Sequence, residues 1–228
     1  MLKMIRKTAL VAACLLAAHV AHAQFGGLGN MLGAATGTGS TASAGGDIAG
    51  DVSNFVTKSA VLGAMSSRSL TAINAAFSSD EQIAAKRAAL LAIDQITDPK
   101  EKQAKTAALY ESESAEAKRR LDSGEMEKSI GGLDAGKKKQ IGAALLNFGI
   151  GALQAVDLTK SGQNMVQKAS SNPMNFPKLL PVKDALPLLG KVASDAGGFF
   201  VGMMKLAKGA NIAVPEVKAD SKVANVEV

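Results

Sequence analysis

Gln140-Ile141-Gly142-Ala143-Ala144-Leu145-Leu146-Asn147-Phe148-Gly149-Ile150-Gly151-Ala152-Leu153-Gln154-Ala155-Val156 runs for 17 residues without a formal charge. The apolar side chains of Ile141, Leu145, Leu146, Phe148, Ile150, Leu153 and Val156 go most of the way round a helix, and a helix apolar all round belongs at the centre of a protein. The stretch approaches the roughly 20 residues that cross a bilayer, so a membrane span is the alternative. Asn147, Gln154 and three glycines weigh against it. The helix continues, more polar, through Val166 to about Ser170.

Working outward, the pattern on either side is helical. Asp47 is placed to cap a helix on which Ile48, Val52, Phe55, Val56, Leu62, Leu70, Ile73 and Phe77 fall within roughly 120 degrees, one broad apolar face. Ser78-Ser79-Asp80 breaks and recaps the chain, and Ile83, Leu90, Leu91, Ile93 and Ile96 carry a second helix to Thr97. Asp98-Pro99 reads as an N-cap followed by proline at the first helical position, where no amide hydrogen is needed. In the third helix Ala107, Tyr110, Ser114, Ala117 and Leu121 recur at spacings of three and four among charged residues. Such a narrow, small-sided seam suits packing against one neighbour. Gly124 and Gly131-Gly132 loosen the chain before Asp134 caps the central run.

Pro173, Pro177, Pro181 and Pro187 then rule out one uninterrupted helix, because proline lacks the amide donor and crowds the preceding turn. A connector or a pair of short turns is expected. Leu186, Leu189, Ala193, Ala196, Phe200, Met203, Met204 and Ala207 mark a last helix, with Lys191, Asp195, Lys205 and Lys208 opposite. Gly209-Ala210-Asn211 ends it, and residues 212 to 228 read as a tail.

The first 23 residues have the three parts of a signal peptide: basic Lys3, Arg6 and Lys7, an apolar stretch from Thr8 to Ala18, and the small-residue exit Ala21-His22-Ala23 before Gln24. Cleavage after Ala23 is the expected processing. The alternative is a lipoprotein anchored at Cys14, since Val11-Ala12-Ala13 places small residues ahead of it. Only six residues separate Lys7 from Cys14, short of the roughly 7 to 15 of an apolar core. From Gln24 to Gly46, eight of 23 residues are glycine and none is charged, the composition of a flexible spacer. Its Phe25, Leu28, Met31 and Leu32 can serve as a short apolar hook.

Processing changes the chemistry. His19, His22 and Cys14, the only histidines and cysteine in the chain, all fall in the leader. The remainder lacks the usual general base near neutral pH, the commonest nitrogen and sulfur metal ligands, and the Ser-His and Cys-His nucleophile pairs. Three of the 26 basic residues leave with the leader, so 23 bases face 20 acids, a balance of +3. With one tyrosine and no tryptophan, neither a nucleic-acid surface nor a sugar-binding cleft is indicated. No cofactor and no small-molecule substrate are expected.

Three local patterns invite functional readings. Gly131 to Lys137 satisfies the spacing of a phosphate-binding loop, but Lys138 replaces the hydroxyl residue and no strand precedes it. Gly198-Phe199-Phe200-Val201-Gly202 carries the small-xxx-small spacing of close helix packing, and its phenylalanines read as core anchors. Lys137, Lys138 and Lys139 oppose the positive end of a helix dipole. With Lys118, Arg119 and Arg120 they form a candidate anion or surface contact, offset by Glu111, Glu113, Glu116, Asp122, Glu125 and Glu127.

The expected molecule is all-α: a compact bundle of about five amphipathic helices over residues 47 to 211, with an N-terminal spacer and a C-terminal tail. The expected role is that of an exported, non-enzymatic binding or structural module, periplasmic or secreted, whose partner is an envelope protein or a membrane surface. The alternative is a membrane-active protein whose helices around Leu145 and Phe200 engage lipid.

Overall fold

Helices begin where a short polar side chain can accept an orphaned amide hydrogen. In the computed structural model, which describes residues 48–169 and 173–228, α1 spans Ile48–Ala76 and α2 spans Asp80–Asp94. Between them Ser79 and Gln82 form a reciprocal capping box. Asp98 accepts the Glu101 amide at 2.7 Å and Pro99 takes the first position of α3 (Pro99–Asp122). A short α4 (Glu125–Ile130) follows left-handed Gly124. Asp134 then accepts the Lys137 amide at 2.8 Å to start α5 (Ala135–Ala169). Two 3-10 turns, Pro173–Asn175 and Pro177–Leu179, lead into α6 (Leu180–Asp195), a π-turn (Ala196–Phe200) and α7 (Val201–Gly209). Among the described residues there is no strand, and the fold is an all-α bundle. The signal-cleavage residues Ala21, Ala23 and Gln24, Cys14, the 24–46 spacer and Asp47 lie outside the described residues.

The centre is α5. From Ile141 to Ala152 every residue but Ala143 is buried, and α1, α6 and the C-terminal segment share its circumference. α1 runs antiparallel to it: Gly151 faces Met65 and Ser66, and Gly162 faces the ring of Phe55. A β-carbon at Gly162 would stand 2.7 Å from that ring, so glycine is what lets the two rods approach. Phe199 stacks edge-on to Phe148 with centroids 5.9 Å apart, and Phe200 lies on its other flank at 6.0 Å.

Several expectations are corrected here. The face of α1 is not one stripe; from Val61 to Ala76 all but Ala64 and Arg68 are buried, including Ser66, Ser67, Ser69, Thr71 and Asn74. Ser69 and Thr71 bond back within the helix, to the Met65 carbonyl at 2.7 Å and to that of Ser67 at 2.9 Å, while Ser67 donates across to the Thr106 carbonyl of α3 at 3.2 Å. α2 forms as expected yet buries no residue. The prolines confine the connector to Pro173–Leu179, while Pro181 opens α6 and Pro187 sits inside it. An opening position needs no amide hydrogen, and an interior proline forfeits one backbone bond that the packed α6–α5 contact offsets. Asp195, placed by its spacing on the polar side of the last helix, is only 2% exposed. Of the two spaced glycines, Gly202 packs against Leu121, whereas Gly198 lies exposed in the π-turn.

Residues 212 to 228, read as a tail, lie as a non-helical strap along α5. Asn147 both donates to the Ala224 carbonyl (2.9 Å) and accepts its amide (2.8 Å). Gln154 donates to the Ala219 carbonyl, and the Glu227 amide donates to Gln140. Ile212 and Val226 are buried. A β-carbon at Gly142 would sit 2.4 Å from the Ala213 carbonyl oxygen and one at Gly149 would sit 2.6 Å from Val217. Gly142 and Gly149 of α5 thus form the bed of the strap. A segment without helical period gains its order from that bed.

Candidate functional site

Two buried ionic clusters stitch the bundle. On α3, Tyr110, Ser114 and Lys118 project at successive intervals of four toward Asp195, at the join of α6 and the π-turn. The Tyr110 hydroxyl donates to one carboxylate oxygen at 2.8 Å and Ser114 to the same oxygen at 2.6 Å, while the Lys118 ammonium donates to the other. Burial alone would raise the pKa of Asp195, but the hydrogen bonds from Lys118, Ser114 and Tyr110 and the ammonium charge outweigh it and hold the carboxyl below the usual range. Burial, with the Asp195 charge beside it, pushes the Tyr110 phenol far up. The phenol stays protonated and donates to the carboxylate.

In the second cluster the Lys86 ammonium of α2 bridges Glu113 (2.8 Å) and Glu116 (2.7 Å) of α3. Asn74 donates to Glu113 at 2.6 Å from the α1 side. Arg120 holds Glu116 and Glu125 and donates to the Phe77 carbonyl at 2.6 Å. Glu116 is pushed up by burial and pulled down further by Lys86 and Arg120, so it too lies below the ordinary range.

These contacts divide the candidate anion surface. Lys118 is bound to buried Asp195, Arg119 reaches Glu125 at 3.3 Å, and Arg120 is buried in the second cluster. Lys138 donates to the Gly131 carbonyl at 2.9 Å. Lys137 and Lys139 make no ion pair among the described residues. Near the end of α1, Arg120 touches Phe77 and Ser78, and Lys137 borders an open cleft of about 230 Å3 with Ala72, Ala76, Ile83, Arg87 and Val228. Arg87 donates to the main-chain oxygen of Val228 at its rim. Among the described residues no three acidic side chains converge as a metal site would require.

The sequence reading missed a third region. Within the connector and the first turn of α6, Met174 is 85% exposed, Leu180 53% and Phe176 40%. Such large apolar side chains so close together on a surface mark contact with something apolar. Lys183 stands over the Phe176 ring, its ammonium 4.5 Å from the centroid, and Lys178 and Lys168 are exposed nearby in sequence. The available signal was the crowding of Met174, Phe176 and Leu180 between prolines that fix turns and deny them a helix face. One described helix, Ala135–Lys168, is long and apolar enough to cross a membrane, although 67% of its most apolar window is buried. No protein-family model, curated protein or solved structure matches the chain.

Proposed function

We propose that the protein is an exported, non-enzymatic helical module, cleaved after Ala23, that acts by contact with an envelope protein or membrane surface in the periplasm or outside the cell. The observation that carries this reading is the fate of the buried acids. Asp195 and Glu113, the groups best placed to become an unusual acid or base, are each closed in by donors from neighbouring helices. Neither borders the cleft beside Lys137. Catalytic carboxyls work by facing substrate with a pKa moved toward the working pH. Asp195 is moved the other way and faces helices, which is the arrangement of a structural tie.

The alternative, insertion of the helices around Leu145 and Phe200 into lipid, has the length and hydropathy of α5 in its favour. It requires the bundle to open, since Leu145 and Phe148 are fully buried and Phe200 packs on Phe148.

Intact-mass analysis of the protein accumulated by the cell, with fractionation, tests the export reading. A chain beginning at Gln24 outside the cytoplasm is the expected result. A chain beginning at acylated Cys14 replaces it with the lipoprotein reading, and an uncut chain in the cytoplasm overturns it.

A further inference from the structure

We infer that the proline-held connector, with Met174, Phe176 and Leu180 at its surface and Lys178 and Lys183 beside them, is a docking knob for an anionic lipid surface. The inference rests on the export reading only for where the lipid would be met.

The shape argues first. The three apolar side chains stand on two consecutive 3-10 turns and the opening turn of α6, where the chain reverses between α5 and α6. Three large apolar side chains exposed on so short a reversal can enter the headgroup layer of a bilayer together. Proline at positions 173, 177 and 181 narrows the backbone freedom of the reversal, so little ordering entropy remains to be lost on docking.

The charges argue next. Exposed lysines beside apolar side chains match the arrangement by which surface-bound elements hold anionic lipid: apolar groups enter the acyl boundary and ammoniums stay level with the phosphates. The contact of Lys183 with the Phe176 face sets one ammonium beside the ring that would be inserted. Asp184 is the one acid among residues 173 to 184, so this end keeps a positive excess.

The topology adds a third reason. Because α1 is antiparallel to α5, the chain enters α1 at the same end of the bundle from which the connector emerges. The first turn of α1 therefore lies at the same end as the knob.

The test is co-sedimentation of the protein, purified in the form the cells accumulate, with vesicles of phosphatidylcholine alone and with an equal mixture of phosphatidylcholine and phosphatidylglycerol. Binding to the mixed vesicles and little to the neutral ones is expected. The double variant Phe176→Ser, Leu180→Ser should lose about tenfold or more in partitioning, and Lys178→Glu and Lys183→Glu about fivefold each. Val201→Ser removes an equally exposed side chain about 30 Å further along the same rod, and it should change nothing. Circular dichroism and thermal melts of the variants should overlay the parent, since the substituted side chains are exposed. The proposal is overturned if the protein stays in the supernatant with both vesicles, if it binds neutral vesicles as well, or if the connector variants sediment like the parent. None of those outcomes touches the export reading, which stands or falls on the first residue of the accumulated chain.

Discussion

α5 and α2 are both marked by strong apolar patterns, yet α5 is buried from Ile141 to Ala152 at every residue but Ala143 while α2 buries none of its 15 residues. The difference lies in what surrounds them. α5 has α1, α6 and the strap against it and excludes water by shape, with glycines where neighbours come closest. α2 is a shorter rod beside α1 and α3, fastened by charge: Arg68 to Asp94, Lys86 to Glu113 and Glu116, and Arg87 to Val228. Hydrophobicity thus makes a helix eligible for the core, and the number of faces its neighbours can cover decides whether it enters.

The sharpest break of this comparison is a pair of truncations. Leu145→Ala in α5 should cost about 3 to 4 kcal/mol, through lost burial and the cavity left behind. Leu91→Ala in α2, where the side chain is 51% exposed, should stay within about 0.5 kcal/mol of the parent. Urea denaturation measures both. Equal costs would mean that α2 is covered in solution by something that the fold described here lacks.

Next in size is the fastening of α2. Lys86→Met leaves Glu113 buried with Asn74 as its remaining donor and should cost about 2 to 3 kcal/mol, less than a fully buried pair because the ammonium retains some water. Adding Glu113→Gln should recover part of the loss, which a double-mutant cycle reads directly. The same fastening makes α2 acid-sensitive. The pKa of Glu116 is depressed in the folded state, so its contribution is complete above its unfolded value of roughly 4.3 and is lost as pH falls through the folded value. Pepsin at acid pH should therefore cut first in α2, near Leu90 and Leu91. First cuts within residues 141 to 155 would reverse the assignment.

Much of the bundle could be read from local chemistry. Ser79, Asp98 with Pro99, and Asp134 announce their helices because a cap is set by a few adjacent atoms. The Tyr110–Ser114–Ala117 seam and the central run declare themselves by period. What escaped depends on distant partners. Asp195 reads as solvated until three donors from α3 are found around it, and the buried serines of α1 read as polar until Ser59 and Ser69 are seen to bond back to the helix and Ser67 to reach Thr106 of α3. The strap has no period at all, so its order lies in α5's glycines rather than in itself. At the surface, half of the anion patch dissolved for a similar reason: Lys118 and Arg120 are recruited by acids far away or on the next turn. The connector is expected from the sequence, but its apolar surface is not, because its prolines signal a break and conceal that Met174, Phe176 and Leu180 are exposed together along it.

A smaller effect separates two glycines of opposite kind, and it tests the claim that α5 is shaped to receive the strap. Alanine in a helix interior is worth about 1 kcal/mol over glycine. At Gly190 in α6 an added β-carbon meets nothing within 4 Å, so Gly190→Ala should stabilise by roughly that amount. At Gly142 the same atom collides with the Ala213 carbonyl. The backbone there cannot yield as a side-chain tip can, because Ile212 is buried on one side and Asn147 clamps Ala224 further along. Gly142→Ala should therefore forfeit the propensity gain and destabilise by about 1 to 2 kcal/mol, with faster hydrogen exchange at the Ala224 and Glu227 amides. If both alanines stabilised alike, the strap would be a loosely laid tail, and α5 would owe its burial to α1 and α6 alone.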